Sequence, residues 1–140
     1  MMKKLLAVFV AVAIAVGALV PVLAQTGTAS ACTEGLTPGY WKNHPDAWVT
    51  YDPDSDTTFR DVFGVGPEET LMDVLNTGGG KWDALNRHAV AALLNAADPD
   101  IDYWDEGWVI SHVQQAYGDQ EWAPLKARLE YWNELGVPDD

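Results

Sequence analysis

The chain has 140 residues, 21 Asp plus Glu against 8 Lys plus Arg, and a formal net charge of −13. Such an acidic surface repels phosphate backbones and anionic headgroups, which argues against nucleic acid as a partner. Seven Trp and a 48% hydrophobic composition exclude a disordered polar chain and are enough for one small core.

In chain order, Met1-Met2-Lys3-Lys4 is followed by an apolar run from Leu5 to Val20 and then by Pro21-Val22-Leu23-Ala24. A basic start, an apolar stretch and a small-residue end form the layout of a secretory signal. As a helix, Leu5 to Val20 would reach only about 24 Å, short of the roughly 30 Å hydrocarbon core. Residues 1–24 are therefore read as a cleaved signal peptide rather than an anchor, with Ala31 as the second-choice cut after Ala29-Ser30-Ala31. Cleavage removes Lys3 and Lys4, so 21 acids face 8 − 2 bases, a net −15. Residues 25–31 are small and polar, a flexible tether, and 32–140 form a single helical domain. Cys32 is the only cysteine. In an exported chain it points to an intermolecular disulfide, a lipid attachment or an idle thiol. Membrane association requires either an uncleaved signal or lipid on Cys32.

Cys32 to Trp41, with Gly35, Pro38 and Gly39, reads as irregular, and Pro45 opens a short helix through Trp48. An Asp-rich loop precedes a single turn at Phe59 to Phe63. Pro67-Glu68-Glu69 starts a helix with Leu71, Met72, Val74 and Leu75 on its apolar side, ending at Gly78. Lys81 to Ala97 is the longest apolar element, with Trp82, Leu85, Ala89, Leu93 and Ala96 at helical spacing. Its alanines allow close neighbours, so it is read as the central helix. Asp105 caps a helix that buries Val109, Ile110, Val113 and Ala116 and stops at Gly118. The last helix begins at Asp119 and carries a stripe of Trp122, Leu125, Leu129 and Trp132. The fold expected is an all-α bundle of four to five helices around 81–97.

The string Thr37-Pro38-Gly39-Tyr40-Trp41-Lys42-Asn43-His44-Pro45 resembles the "TPGYWKNHP" signature of a domain found in secreted and surface proteins of bacteria and archaea. The likeness continues through Leu85 to Ala96, Val109-Ile110, and Leu129-Glu130 with Trp132-Asn133. It implies an extracellular module whose activity is undefined. Relatives with this pattern often carry a second cysteine after the final helix, where this chain has Val137. The intradomain disulfide that the resemblance would imply therefore lacks its second cysteine at this position.

Five patterns could carry chemistry. Tyr40, Trp41, Lys42, Asn43 and His44 could form a ligand site, with Tyr40 and Trp41 stacking on sugar faces; the alternative is that Trp41 is a core plug and the segment a structural lock. His44, His88 and His112 lie in three elements and could converge on Zn or Cu, although no local ligand spacing supports it. Asp52, Asp54, Asp56 and Asp98, Asp100, Asp102 alternate as calcium loops do. Both lack the Gly and bidentate Glu of an EF-hand, so solvated turns compete with a weak calcium site. Gly78-Gly79-Gly80-Lys81 lacks the spacing of a phosphate loop, and Ser111 beside His112 forms no nucleophile pair. No catalytic residue is assigned and no cofactor is required, with Ca or Zn as the candidates. The leading expectation is a non-enzymatic secreted or cell-surface module that binds or assembles with extracellular matrix or surface components. Its competitors are a carbohydrate-binding module at Tyr40 and Trp41 and a metal-dependent enzyme at the histidines.

Overall fold

The computed structural model describes residues 34–135. The expected signal at 1–24, the tether at 25–31, Cys32 and Val137 lie outside the described residues. Six α-helices are described: α1 (Pro38–Asn43), α2 (Phe59–Phe63), α3 (Leu71–Asn76), α4 (Trp82–Ala97), α5 (Glu106–Asp119) and α6 (Ala123–Glu134). A 3-10 turn at Pro45–Ala47 follows α1. No described helix is long and apolar enough to cross a membrane.

The all-α expectation holds, and α4 is the central element, packed against α1, α3, α5 and α6. Being surrounded, it buries Ala84, Leu85, Asn86 and every residue from Ala89 to Asn95. Its Ala89, Ala91 and Ala92 let neighbours approach, while Leu85, Val90 and Leu93 fill the space with no exposed surface. Each of those larger side chains contributes about 1.5–3 kcal/mol when fully buried. Phe59 and Phe63 close one end of the core, stacked with centroids 4.1 Å apart.

Four boundaries differ from expectation. The segment before Pro45 is helical, because Thr37 caps α1 by accepting from Tyr40 N–H at 3.1 Å and Pro38 occupies the first turn. The helix expected from Pro67 begins only at Leu71. The carbonyls of Pro67 and Glu69 instead accept from Arg60 N–H and Phe59 N–H, tying this loop to α2 beside a Thr58–Thr70 bridge. α5 runs past Gly118 and closes at Gln120, which adopts the left-handed conformation at φ 57°. α6 starts at Ala123 rather than Asp119, with Pro124 in the first turn, where its missing N–H is harmless. Its buried stripe is Leu125, Leu129 and Asn133, while Trp132 is 39% exposed.

Gly35 fixes how the chain enters the domain. A Cβ there would lie 2.4 Å from the Trp132 carbonyl and 2.7 Å from the Tyr103 ring. Only glycine lets this segment lie against the end of α6.

Candidate functional site

The signature string is built into the fold. Trp41 is 1% exposed and donates from Nε1 to Asn95 Oδ1 at 3.0 Å. The same Oδ1 accepts from Leu36 N–H at 2.8 Å, and Asn95 Nδ2 donates to the Leu36 carbonyl and to Asn133 Oδ1, both at 2.9 Å. Asn133 Oδ1 also accepts from the Tyr103 hydroxyl at 2.7 Å, and its Nδ2 donates to the His88 carbonyl at 3.0 Å. Asn95 and Asn133 are fully buried, and no buried side-chain polar atom among the described residues lacks a partner. This network joins the entering segment, α1, α4, the loop before α5, and α6. It links three of the stretches that carry the family resemblance.

Trp41 therefore cannot contribute to an exposed sugar platform, and the expected ligand row loses the second of its five residues. Tyr40 is half-buried, whereas Lys42, Asn43 and His44 are exposed. Nor do the side chains of Asn43 and His44 cap the Pro45 turn, although the His44 carbonyl accepts from Ala47 N–H at 3.0 Å. Asn43 Nδ2 donates to the Gly39 carbonyl and His44 Nδ1 donates to the Tyr40 carbonyl, both at 2.9 Å, so they finish α1. The His44 ring stacks on Tyr40 at 4.2 Å.

The three imidazoles do not meet at a metal centre. Among the described residues no three His, Cys, Asp or Glu side chains are placed to hold an ion. His88 accepts at Nδ1 from Asn133 Nδ2 at 3.3 Å, and its Nε2 lies 3.8 Å from Glu130. Burial pushes its pKa down to about 4, against the opposing pull of Glu130. His112 Nδ1 donates to the Trp108 carbonyl at 2.8 Å and stacks on that indole at 3.8 Å. The aspartate loops do not gather either: Asp52 Oδ1 accepts from Asp54 N–H and Asp98 Oδ1 from Asp100 N–H, each at 2.9 Å, while Asp56 and Asp102 are exposed. These are acidic turns closed by their own backbone.

Two arrangements appear that the sequence reading did not single out. The first is a stack at the start of α5, in which Trp104, just before the helix, and Trp108 and His112 on it follow one another at spacing of four. Trp104 and His112 both lie within 3.9 Å of the Trp108 ring at shallow angles, so they cover much of its surface. Arg128 and Trp132 of α6 flank the stack. Rings that cover one another cement α5 to α6 and leave little face for a ligand.

The second is an open cleft of about 730 Å³ between the loop after α2, the start of α4 and the end of α5. Trp82 and Tyr117 form part of its wall, with their rings packed at 4.4 Å and tilted by 35°. The Tyr117 hydroxyl donates to Asn86 Oδ1 at 2.8 Å, and burial raises its pKa. Gln114 Nε2 donates to the Phe63 carbonyl at 3.0 Å, and Gln120 Nε2 to the Tyr117 carbonyl at 2.8 Å. Arg60 is committed to the Gly66 carbonyl and to Glu68, the latter at 3.1 Å. Gly66, at φ +84°, permits the turn; a Cβ there would lie 2.6 Å from the Phe59 ring and 3.0 Å from the Tyr117 hydroxyl.

The lining of this cleft contains neither a carboxylate nor an imidazole, although the chain carries 21 Asp and Glu. One faint signal is Trp82, a half-buried ring between the exposed Lys81 and Asp83 at the beginning of a helix whose buried residues are small or aliphatic apart from two asparagines. Comparison with protein-family models, with curated proteins and with solved structures finds no match to the chain.

Proposed function

We propose that this chain is a non-enzymatic module of the cell surface or extracellular space that binds a component of that environment through the Trp82–Tyr117 cleft. Export rests on the signal-like residues 1–24, and the resemblance of the Thr37 to Pro45 string points the same way. The observation that carries the binding role is the lining of the cleft: two packed rings and three amides whose orientation is set by hydrogen bonds. Hydrolysis of a glycoside uses a pair of carboxyl groups, and nucleophilic catalysis needs a base beside the nucleophile. The cleft wall supplies a phenol with a raised pKa, amides and a committed guanidinium, groups suited to holding a ligand rather than transforming it.

The test has two parts. Intact mass of protein from its native host should correspond to a chain beginning near Gln25; retention of Met1 to Ala24 would contradict export. Titration of ¹⁵N-labelled protein with solubilised host cell-surface material should move the Trp82 indole resonance. An unmoved Trp82 would refute the cleft as the binding site.

A second role, assembly between copies, is favoured by a separate observation. Tyr131 and Trp132 are 61% and 39% exposed at the end of α6, where Gly35 approaches. Cys32, the only cysteine of the sequence, is the residue that would form a disulfide between copies. Non-reducing gels should then show a dimer that Cys32→Ser abolishes, and a strictly monomeric oxidised protein would refute it.

A further inference from the structure

We infer that the cleft takes a neutral, hydroxyl-rich ligand, a segment of an uncharged polysaccharide. This inference rests on the cleft being the binding site, as proposed above, and names the chemistry of what enters it.

The hydrogen-bonding inventory decides the class. Gln114 and Gln120 each spend one of their two Nε2 donors on a backbone carbonyl, so each keeps one N–H and has its Oε1 as an acceptor. Asn86 spends Oδ1 on the Tyr117 hydroxyl, which leaves its Nδ2 donors uncommitted among the described residues. A ligand matched to this set must both donate and accept. Sugar hydroxyls do both; a sulfate or carboxylate can only accept, and would leave the Oε1 atoms of both glutamines without a donor.

Arg60 does not reverse this conclusion. Its guanidinium is engaged by the Gly66 carbonyl and balanced by Glu68. The chain's formal charge of −13 further disfavours an anionic polymer. A cationic ligand would find no carboxylate in the wall to pair with. The aromatic wall supplies the other half of sugar recognition, since the C–H faces of a pyranose pack on indole and phenol rings. A cleft of about 730 Å³ lies within the range of small-ligand sites and, being open, can pass a chain rather than enclose one end.

The experiment titrates the protein with neutral tetrasaccharides of glucose, xylose, mannose and N-acetylglucosamine, with tetragalacturonate as the anionic control. Binding is read by calorimetry and by the Trp82 indole resonance. At least one neutral tetrasaccharide should bind and move Trp82, and tetragalacturonate should bind at least tenfold more weakly. Trp82→Ala should reduce that affinity at least tenfold. Gln120→Gly keeps the left-handed helix cap and should reduce it about threefold, which covers the case in which Trp82→Ala does not fold. Equal affinity in Gln120→Gly and parent, or preference for the anionic sugar, would overturn the inference. If cell-surface material moves Trp82 and no neutral tetrasaccharide does, the saccharide class is wrong while the binding site stands. If neither moves it, both fall.

Discussion

Replacing Asn95 by Ala removes the hub that holds the signature string to the core. The side chain makes four hydrogen bonds, to Trp41 Nε1, both backbone groups of Leu36, and Asn133 Oδ1. Asn133 Oδ1 keeps the Tyr103 hydroxyl, so its loss is partial. The Trp41 indole N–H has no such substitute, and Leu36 loses the partner of both its N–H and its carbonyl. An unsatisfied buried polar group costs about 1–3 kcal/mol. With Trp41 stranded and Leu36 able to recover water at the surface, the loss should be about 3–5 kcal/mol. A domain of this size has a total of about 5–15 kcal/mol. Urea unfolding followed by Trp fluorescence measures it, with an unchanged m-value expected if the unfolded states match. Trp41→Phe should cost less than Asn95→Ala, because Asn95 Oδ1 would still accept from Leu36 N–H. An Asn95→Ala protein within 1 kcal/mol of the parent would refute the network as a structural lock.

Three further outcomes follow from the same geometry. His88 has a pKa of about 4 in the fold against an ordinary value of 6.5, so the unfolded chain binds its proton more readily. Stability should be full above pH 6.5 and fall toward pH 4, by on the order of 2 kcal/mol, with His88→Gln flattening that slope in pH-dependent urea melts. His44→Ala should cost less than about 1 kcal/mol in thermal melts, because the imidazole is exposed and the Tyr40 carbonyl it leaves can be hydrated. Gly66→Ala places a methyl against Phe59 in a left-handed backbone and should destabilise by about 1–3 kcal/mol, read as a lower melting temperature.

The helical architecture was legible because its signals are local. Spacing of three and four in 82–97 marks a helix whatever it packs against, and its alanines mark it as surrounded. Helix starts were less so. Thr70 caps α3 because the preceding carbonyls bond to α2, a tertiary contact that Pro67-Glu68-Glu69 does not encode by itself. Asn133 was hidden by the stripe rule, which assigns the buried side to apolar residues; its burial depends on Asn95, 38 positions away. The cleft was illegible for the same reason. Gln114, Asn86 and Gln120 are ordinary polar residues in the sequence, and only the packing of α4 against α5 brings them around Trp82. The string that drew attention as a candidate ligand row proved to spend its Trp on the core.

One spectrum tests this reassignment directly: the indole N–H resonances of the seven tryptophans during titration with a neutral oligosaccharide, with hydrogen exchange measured on the same sample. The account predicts that Trp82 shifts on binding and that Trp41 does not move and exchanges slowly, held by Asn95. A shift at Trp41 with Trp82 unmoved would contradict it and return the binding site to the signature string.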